Sequence, residues 1–293
     1  MQRFYKYQGA GNDFLIADNR DGFISEKDGV LSCRDSQGNL MTIRISDICD
    51  RRYGVGADGL MLLESSDEHD FHMEYFNSDG SGGMMCGNGG RCIVAFAADM
   101  GIDSFDFDAA DGLHSAQILR SEGKDKTVRL RMKDVSEVVR HERLEGVSVP
   151  SDGWFLDTGT RHFVRFVEDL GTYDIVREGR DIRINGEELQ PVGANVNFVE
   201  PCGDAVKVRT YEKGVEDETF ACGTGIVASC IASYKNGVLP SERLSGSRVR
   251  YDVYAKRDAL AVDFVPSGDG ESFSDVWLTG PACYVAEILL QDR

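Results

Sequence analysis

Long hydrophobic runs are absent from this sequence of 293 residues, although 41% of its residues are hydrophobic. A membrane-spanning helix needs about 20 consecutive apolar residues, so we expect a globular protein that does not span a membrane. The N-terminus lacks the apolar stretch and the cleavage site of a secretory signal, which favours a cytoplasmic location. The length is sufficient for two domains of about 150 residues, each with its own core.

Positive charge is also scarce in this chain. The 32 Lys and Arg residues stand against 50 Asp and Glu residues, which gives a formal net charge of −18 at pH 7. This excess argues against nucleic acid or an anionic membrane as a partner. An anionic small molecule remains compatible with the composition, because local N–H groups and a few cations can outweigh the field of the whole protein.

Closely spaced cysteine pairs are missing as well. No CxxC pair occurs among the eight cysteines, so the sequence predicts neither a disulfide scaffold nor a zinc finger. One alternative is a metal site formed by Cys86 and Cys92 with His69 or His72, but this spacing differs from that of known fingers. We therefore predict no metal site.

The hydrophobic pattern predicts a sheet-rich chain with few helices. Apolar and polar residues alternate, as in half-buried strands, at residues 128–132, 162–167, 206–210 and 249–253. We interpret the charged stretch at residues 121–126 as a hinge between two halves of the chain. Residues 283–290 form a final strand that could pair with either half.

Two short motifs share the pattern Cys-Gly-polar-Gly followed by an apolar, helix-like run. Cys86 begins the first and Cys222 the second, and the runs end near the helix-terminating glycines Gly101 and Gly237. The N–H groups and the positive end of the dipole at a helix start favour an anion, so a cysteine there forms a thiolate more easily. A single such turn is compatible with an inert buried cysteine. Two near-identical turns instead indicate that the two cysteines act together in one chemical function.

This pair of cysteines matches the needs of one reaction type. Inversion at the α-carbon of an amino acid requires a base on one face and an acid on the other. One thiolate and one thiol supply both, and they exchange roles when the reaction runs backwards. The N–H groups of both turns, with Asn88 and Thr224, would hold the substrate carboxylate as it gains enolate character. The motifs therefore predict a two-base racemase or epimerase.

Further polar clusters precede both cysteine turns and complete a series along nearly the whole chain. The series consists of Gly9-Ala10-Gly11-Asn12-Asp13-Phe14, Asn77-Ser78-Asp79-Gly80-Ser81, Met85-Cys86-Gly87-Asn88-Gly89-Gly90-Arg91-Cys92, Asn195-Val196-Asn197-Phe198, and Tyr211-Glu212-Lys213-Gly214 with Ala221-Cys222-Gly223-Thr224-Gly225. Its amides, carboxylate and cation suit a zwitterionic substrate. In order and content, the series resembles the motifs of the diaminopimelate epimerase family.

The resemblance implies a cofactor-independent enzyme that converts LL-diaminopimelate to the meso form, in lysine and peptidoglycan precursor synthesis. It implies that Cys86 and Cys222 are the acid/base pair and that His162 and Glu212 help to set their protonation. Other matching positions would bind the substrate. Those around the reacting carboxylate are Gly87, Asn88, Gly223 and Thr224, and the others are Asn12, Asn77, Asn195, Glu212 and Lys213. We add Thr160 and Arg161, which stand where the family has other substrate-binding residues.

The family fold implied by the resemblance is α+β. It has two pseudo-symmetric domains, each a curled, mostly antiparallel sheet around a central helix, with the active site in the cleft between them. We expect residues 1–122 plus 281–293 to form the domain that carries Cys86, and residues 123–280 to form the domain that carries Cys222. The resemblance also implies a homodimer without a cofactor.

Several positions depart from the family pattern, and all of them concern substrate recognition. Lys213 stands where the family has Arg, which replaces a bidentate fork by a point charge. Thr160-Arg161 replaces Asn-Pro before His162, so Arg161 could supply the missing guanidinium. Two alternatives therefore stay open: a related two-cysteine racemase or isomerase acting on another amino acid, and a non-catalytic thiol–disulfide redox sensor.

Overall fold

The structure is a computed structural model that describes residues 2–34, 38–83, 86–149 and 151–290. The chain divides into two compact units. The first comprises Met1–Leu130 together with Gly280–Arg293, and the second comprises Arg131–Thr279. None of the helices in the described ranges is long and apolar enough to cross a membrane.

The first unit is mostly sheet. Its helices are α1 (Ile45–Cys49) and α2 (Gly87–Asp99). Its strands are β1 (Gln2–Gly9), β2 (Asn12–Asp18), β3 (Ser25–Lys27), β4 (Val30–Arg34), β5 (Leu40–Arg44), β6 (Gly59–Glu64), β7 (Phe71–Asn77), β8 (Asp106–Ala109), β9 (Gly112–Glu122) and β10 (Asp125–Arg131).

The main sheet of the first unit curls around α2. Strand β1 pairs antiparallel with β2, β2 pairs parallel with β6, and β6 continues through β7 and β8 to β9 and β10. Helix α2 packs on β1, β2, β6 and β9, and its residues from Gly87 to Ala97 are all buried. On the other face, Leu15, Leu60 and their neighbours pack against α1 and the small β3–β4–β5 sheet.

The charged stretch at residues 121–126 is not a hinge, which corrects the expectation from the sequence. Glu122 pairs with Asp125 across a turn whose Gly123 has a φ of +62°, and the segment joins β9 to β10 inside the first unit. A charged, glycine-containing turn has the same composition as a linker. The first unit therefore extends to Leu130 instead of ending at residue 122.

The second unit repeats this plan with different connections. Its helices are α3 (Ile175–Asn185) and α4 (Gly223–Lys235), and a 3₁₀ turn spans Glu187–Leu189. Its strands are β11 (Val138–His141), β12 (Gly153–Asp157), β13 (Arg161–Phe166), β14 (Asn195–Cys202), β15 (Ala205–Glu212), β16 (Asp217–Thr219), β17 (Glu242–Arg243), β18 (Val249–Tyr254), β19 (Ala259–Pro266) and the first part of β20 (Phe273–Leu290).

Two helices pack on opposite faces of the second sheet. Strands β11, β12 and β13 pair antiparallel, β13 pairs parallel with β14, and β14 pairs antiparallel with β15. Helix α4 packs on β12 to β15 and β19, while α3 packs on β14, β15 and β16. Val196, Phe198 and Tyr211 belong to the apolar cluster around α3. Asn195 and Asn197, which alternate with them on β14, therefore face α4.

The predicted elements are largely confirmed. Each of the four alternating segments lies in a strand, namely β10, β13, β15 and β18, and only Met132 and Val167 fall just beyond the strand ends. Strand β20 pairs with β19 before Gly280 and with β1 from Cys283 to Leu290. Both cysteine motifs open a buried helix, and Gly101 and Gly237 follow these helices with φ angles of +86° and +77°. The α+β class with two units is confirmed.

Candidate active site

In the first unit, Cys86 is the residue that caps helix α2. Its backbone is extended, with φ −108° and ψ 151°, and its Sγ accepts a hydrogen bond from the Gly89 N–H at 3.2 Å. A Cβ atom at Gly89 would lie 3.2 Å from this sulfur, so the glycine leaves room for the thiol over the first turn. A backbone N–H at a helix start stabilises a negative charge on sulfur.

A buried cation orients the amides beside Cys86. The guanidinium of Arg91 has no exposed surface and donates to the Gly87 carbonyl at 2.9 Å and to Asn88 Oδ1 at 2.8 Å. The bond from Arg91 fixes the orientation of the Asn88 amide, and Asn88 Nδ2 donates to Asn12 Oδ1 at 2.6 Å. Asn12 Nδ2 donates in turn to Asp58 at 2.9 Å. The structure thus joins Asn12, Gly87 and Asn88 at the start of α2.

Asp58 and Arg91 were not identified from the sequence as site residues. Arg91 lies inside the cysteine motif, and its position four residues after Gly87 on a helix could have indicated the contact. Asp58 precedes strand β6 and also accepts from Arg51 at 2.6 Å. Burial raises the pKa of the adjacent Asp13, but hydrogen bonds from Arg51 and Lys6 outweigh it and hold this pKa below its usual value.

Asn77 lies in a turn of its own at the end of β7. Its amide donates to Ser81 Oγ at 3.0 Å, and its carbonyl accepts from the Gly80 N–H at 2.9 Å. The β3–β4 turn packs against this loop, because a Cβ atom at Gly29 would lie 3.3 Å from the Gly80 carbonyl oxygen. The small sheet therefore supports the backbone that carries Asn77.

In the second unit, Cys222 caps helix α4 with extended φ and ψ angles of −103° and 109°. Its Sγ lies 3.5 Å from Thr224 Oγ1, and its residue is buried. The second glycine of this motif, Gly225, has a different role from Gly89. A Cβ atom there would lie 2.3 Å from Asn197 Oδ1, so only glycine allows α4 to approach β14 so closely.

His162 lies beside Thr224 and is fully buried on β13. Its Nε2 is 3.0 Å from Thr224 Oγ1 and 2.9 Å from Thr160 Oγ1, while its Nδ1 is 3.0 Å from Asn197 Nδ2. Desolvation lowers the pKa of His162 to about 3, against a smaller opposing effect of Asp157. The imidazole is therefore neutral near pH 7.

Asn195 connects the ends of three strands. Its Oδ1 accepts from the Lys213 backbone N–H at 2.8 Å, and its Nδ2 lies 3.4 Å from both Thr160 Oγ1 and the Arg161 carbonyl. Glu212 is the last residue of β15 and is half-buried. The structure thus brings together Thr160, His162, Asn195, Thr224 and Cys222, with Glu212 and Lys213 at the adjoining strand end.

Arg161 is placed differently from the other expected substrate-binding residues. Its Nη1 donates to the Leu189 carbonyl at 3.2 Å, and its guanidinium lies over the Phe155 ring at 4.9 Å. Leu189 and Phe155 belong to the cluster on the α3 face, whereas His162 contacts α4. Because neighbouring side chains of a strand point to opposite faces, Arg161 is directed away from Thr160 and His162. Its carbonyl contacts Asn195, but the structure does not bring its guanidinium together with the other expected residues.

The two-unit α+β fold places the chain in a structural class that includes epimerases, racemases and PhzF-type proteins. Solved structures with this fold include a PhzF-family phenazine biosynthesis protein of Bacillus anthracis, with a TM-score of 0.67, 15% identity and 99% coverage of both chains. A probable proline racemase from Agrobacterium radiobacter K84 aligns with a TM-score of 0.64 and 15% identity, covering 99% of this chain and 93% of that one. A hydroxyproline epimerase from Agrobacterium vitis aligns with a TM-score of 0.63 and 16% identity, covering 98% and 90%.

Sequence comparison narrows the class to one family. The family model described as diaminopimelate epimerase matches residues 4–138 and 154–250. The diaminopimelate epimerase of Flavobacterium psychrophilum is 38% identical over 97% of this chain and 98% of its own. That of Chlorobaculum tepidum is 39% identical over 94% and 95%, and that of Aquifex aeolicus is 38% identical over 99% and 98%. The chain belongs to the diaminopimelate epimerase family and is an isomerase.

Proposed function

We propose that this protein converts LL-diaminopimelate to meso-diaminopimelate with Cys86 and Cys222 as the acid/base pair. The observation that carries the proposal is that each cysteine caps a buried helix and that each sulfur contacts a hydrogen-bond donor. Family membership supplies the substrate, since relatives of 38–39% identity over nearly the full chain are diaminopimelate epimerases. The reaction belongs to lysine and peptidoglycan precursor synthesis.

The proposed chemistry requires no oxidant. One thiolate takes the α-proton, so an S–H bond forms as the C–H bond breaks, and the electron pair delocalises into the substrate carboxylate. The second thiol then gives its proton to the opposite face of the carbon. We assign the task of holding the carboxylate, as its charge grows, to the backbone N–H groups at the two helix starts. These are the groups of Gly87 and Asn88 and of Gly223 and Thr224.

The second amino-acid centre of the substrate requires its own contacts. We assign these to Asn12, Asn77, Asn195 and Glu212, with Lys213 as the cation for the distal carboxylate. Lys213 is exposed, and its Nζ lies 3.4 Å from the Val192 carbonyl, so the side chain can move to a ligand without breaking a buried ion pair. Arg161 receives no role. We also expect a homodimer, as the family resemblance implies, and a location in the cytoplasm.

The test is solvent exchange at the α-carbon. Reduced protein is incubated with LL-diaminopimelate in heavy water, and deuterium in substrate and product is followed by mass spectrometry and NMR. We expect meso product with deuterium at the inverted carbon. Exchange with proline or another amino acid, but none with LL-diaminopimelate, would reject the substrate and favour a related racemase. Absence of exchange with every amino acid under reducing conditions would favour the redox-sensor alternative.

A further inference from the structure

A buried amide and a buried imidazole lie behind Cys222 and are connected to its sulfur through Thr224. Asn197 and His162 both have no exposed surface. Buried polar groups need hydrogen-bond partners, and the set of partners here determines which atoms donate. The direction of each hydrogen bond can therefore be derived from the fixed donors and acceptors at the far end.

The Phe163 carbonyl fixes the orientation of Asn197. The Asn197 Nδ2 lies 3.3 Å from this carbonyl oxygen, which can only accept, so the NH₂ group must be on that side. The Asn197 Oδ1, on the other side, accepts from Thr210 Oγ1 at 2.9 Å and occupies the space left by the missing side chain of Gly225. The amide is held at both ends.

The orientation of Asn197 determines the tautomer of His162. Since Asn197 Nδ2 donates at 3.0 Å, the imidazole Nδ1 must accept and carries no proton. The neutral ring then has its proton on Nε2, between Thr160 Oγ1 at 2.9 Å and Thr224 Oγ1 at 3.0 Å. Thr160 Oγ1 also lies 3.2 Å from Thr224 Oγ1, but it already faces two other donors, the His162 Nε2–H and the Asn195 amide. A Thr224 hydroxyl that accepts from His162 therefore has its own proton available for the Cys222 sulfur at 3.5 Å.

We propose that Asn197 is a positioning residue that locks His162 in the Nε2–H tautomer and so directs a chain of donors, through Thr224, onto the Cys222 sulfur. The proposal rests on the proposed function only in taking Cys222 as a reacting thiol. Asn197 contacts His162, the Phe163 carbonyl and Thr210, so it acts on the sulfur through His162. Its contribution is to make the Cys222 sulfur a hydrogen-bond acceptor, which favours the thiolate form when the thiol must act as a base.

The direct test reads the tautomer without any substrate. In protein labelled with ¹⁵N-histidine, the protonated and unprotonated ring nitrogens of neutral His162 resonate at different shifts, and a His162→Gln variant assigns them. We expect the proton on Nε2 in the unmodified protein. A proton on Nδ1 would overturn the proposal, and this result does not depend on which reaction the protein catalyses.

The matched substitution is Asn197→Asp, which keeps the shape of the side chain but replaces the donor by an acceptor. The carboxylate would draw the imidazole proton to Nδ1, and Thr224 would then donate to Nε2 instead of to sulfur. We expect kcat to fall at least about tenfold, with KM changed less than about threefold, since a wrong tautomer at a catalytic histidine costs mainly kcat.

Ser233→Ala is the control for loss of a buried polar group. Ser233 is equally buried in α4, and its hydroxyl donates to the Ser229 carbonyl at 2.7 Å within the helix. We expect this variant to keep the activity and the His162 tautomer of the unmodified protein. Two results would contradict the positioning role. One is an Asn197→Asp protein that retains the Nε2–H tautomer, and the other is a kcat that falls no further in Asn197→Asp than in Ser233→Ala.

Discussion

The two cysteine sites share one sequence motif but differ in what supports the sulfur. In the first unit, Cys86 accepts from the Gly89 backbone N–H, and the buried guanidinium of Arg91 holds the amides beside it. In the second unit, Cys222 contacts the Thr224 hydroxyl, with neutral His162 behind it. One site therefore uses backbone and a fixed charge, and the other uses hydroxyl and imidazole groups.

This difference shows that one local motif can have two different surroundings in the same fold. The local pattern determines only that a helix starts after a cysteine. The residues behind each helix start come from other strands, Asn12 and Asp58 in one unit and His162 and Asn197 in the other. In the proposed mechanism, which needs one thiolate and one thiol, the protonation of each cysteine can thus be controlled separately.

The largest contrast is expected between the equivalent glycines of the two motifs. A Gly225→Ala substitution places a Cβ 2.3 Å from Asn197 Oδ1, so it should lower the free energy of unfolding by about 1–3 kcal/mol and disrupt the His162 network. A Gly89→Ala substitution places a Cβ 3.2 Å from the Cys86 sulfur and should cost less than about 1 kcal/mol, partly offset by helix propensity. Urea unfolding and kcat of both variants measure the contrast, and equal effects would contradict it.

A smaller difference is expected between two cations of the second unit, Lys213 and Arg161. Lys213→Ala should raise KM for diaminopimelate about tenfold, which corresponds to about 1.4 kcal/mol of binding. Arg161→Ala removes a guanidinium that packs on Phe155 on the other face of the sheet, so it should leave KM unchanged. Steady-state kinetics decides between them. A higher KM for the Arg161 variant alone would show that the assignment of the two cations is reversed.

His162 makes the second unit sensitive to acid. Its folded pKa of about 3 lies below the ordinary value of 6.5, so the unfolded chain binds a proton that the folded protein excludes. Stability from this group is complete above pH 6.5 and falls by about 1.4 kcal/mol per pH unit as the pH decreases towards 3. Urea unfolding at pH 7.5 and 5.0 should show a smaller loss in a His162→Gln variant. An equal loss would mean that His162 is not the buried neutral group.

The smallest predicted effect concerns the first unit, at the turn that supports the Asn77 loop. Gly29 and Gly22 have similar positive φ angles of +75° and +69°, but a Cβ at Gly29 meets the Gly80 backbone, whereas one at Gly22 has nothing within 4 Å. Both Ala variants share the backbone strain, which costs about 1 kcal/mol. Only Gly29→Ala should raise KM, by about threefold. The same KM in both variants would contradict the proposal that the contact between Gly29 and Gly80 supports the Asn77 loop.

The sequence was sufficient for features that depend on neighbouring residues. The helix starts at Gly87 and Gly223 follow from local cysteine and glycine spacing, and strand alternation located β13 and β15. Features that depend on distant pairing were missed. Asp58 meets Asn12 because β2 pairs with β6, and the Arg161 side chain is directed away from His162 by its place on β13. No local pattern specifies such pairings.

The most direct test of the account replaces each cysteine in turn. Cys86→Ala and Cys222→Ala are compared with Cys202→Ala, which removes a half-buried free thiol on β14, in the heavy-water assay with LL-diaminopimelate. We predict that the Cys202 variant forms deuterated meso product at the normal rate and that both other variants lose at least about 10³-fold in epimerisation, because a two-base inversion fails without either partner. Full activity in the Cys86 or the Cys222 variant would contradict the two-thiol mechanism.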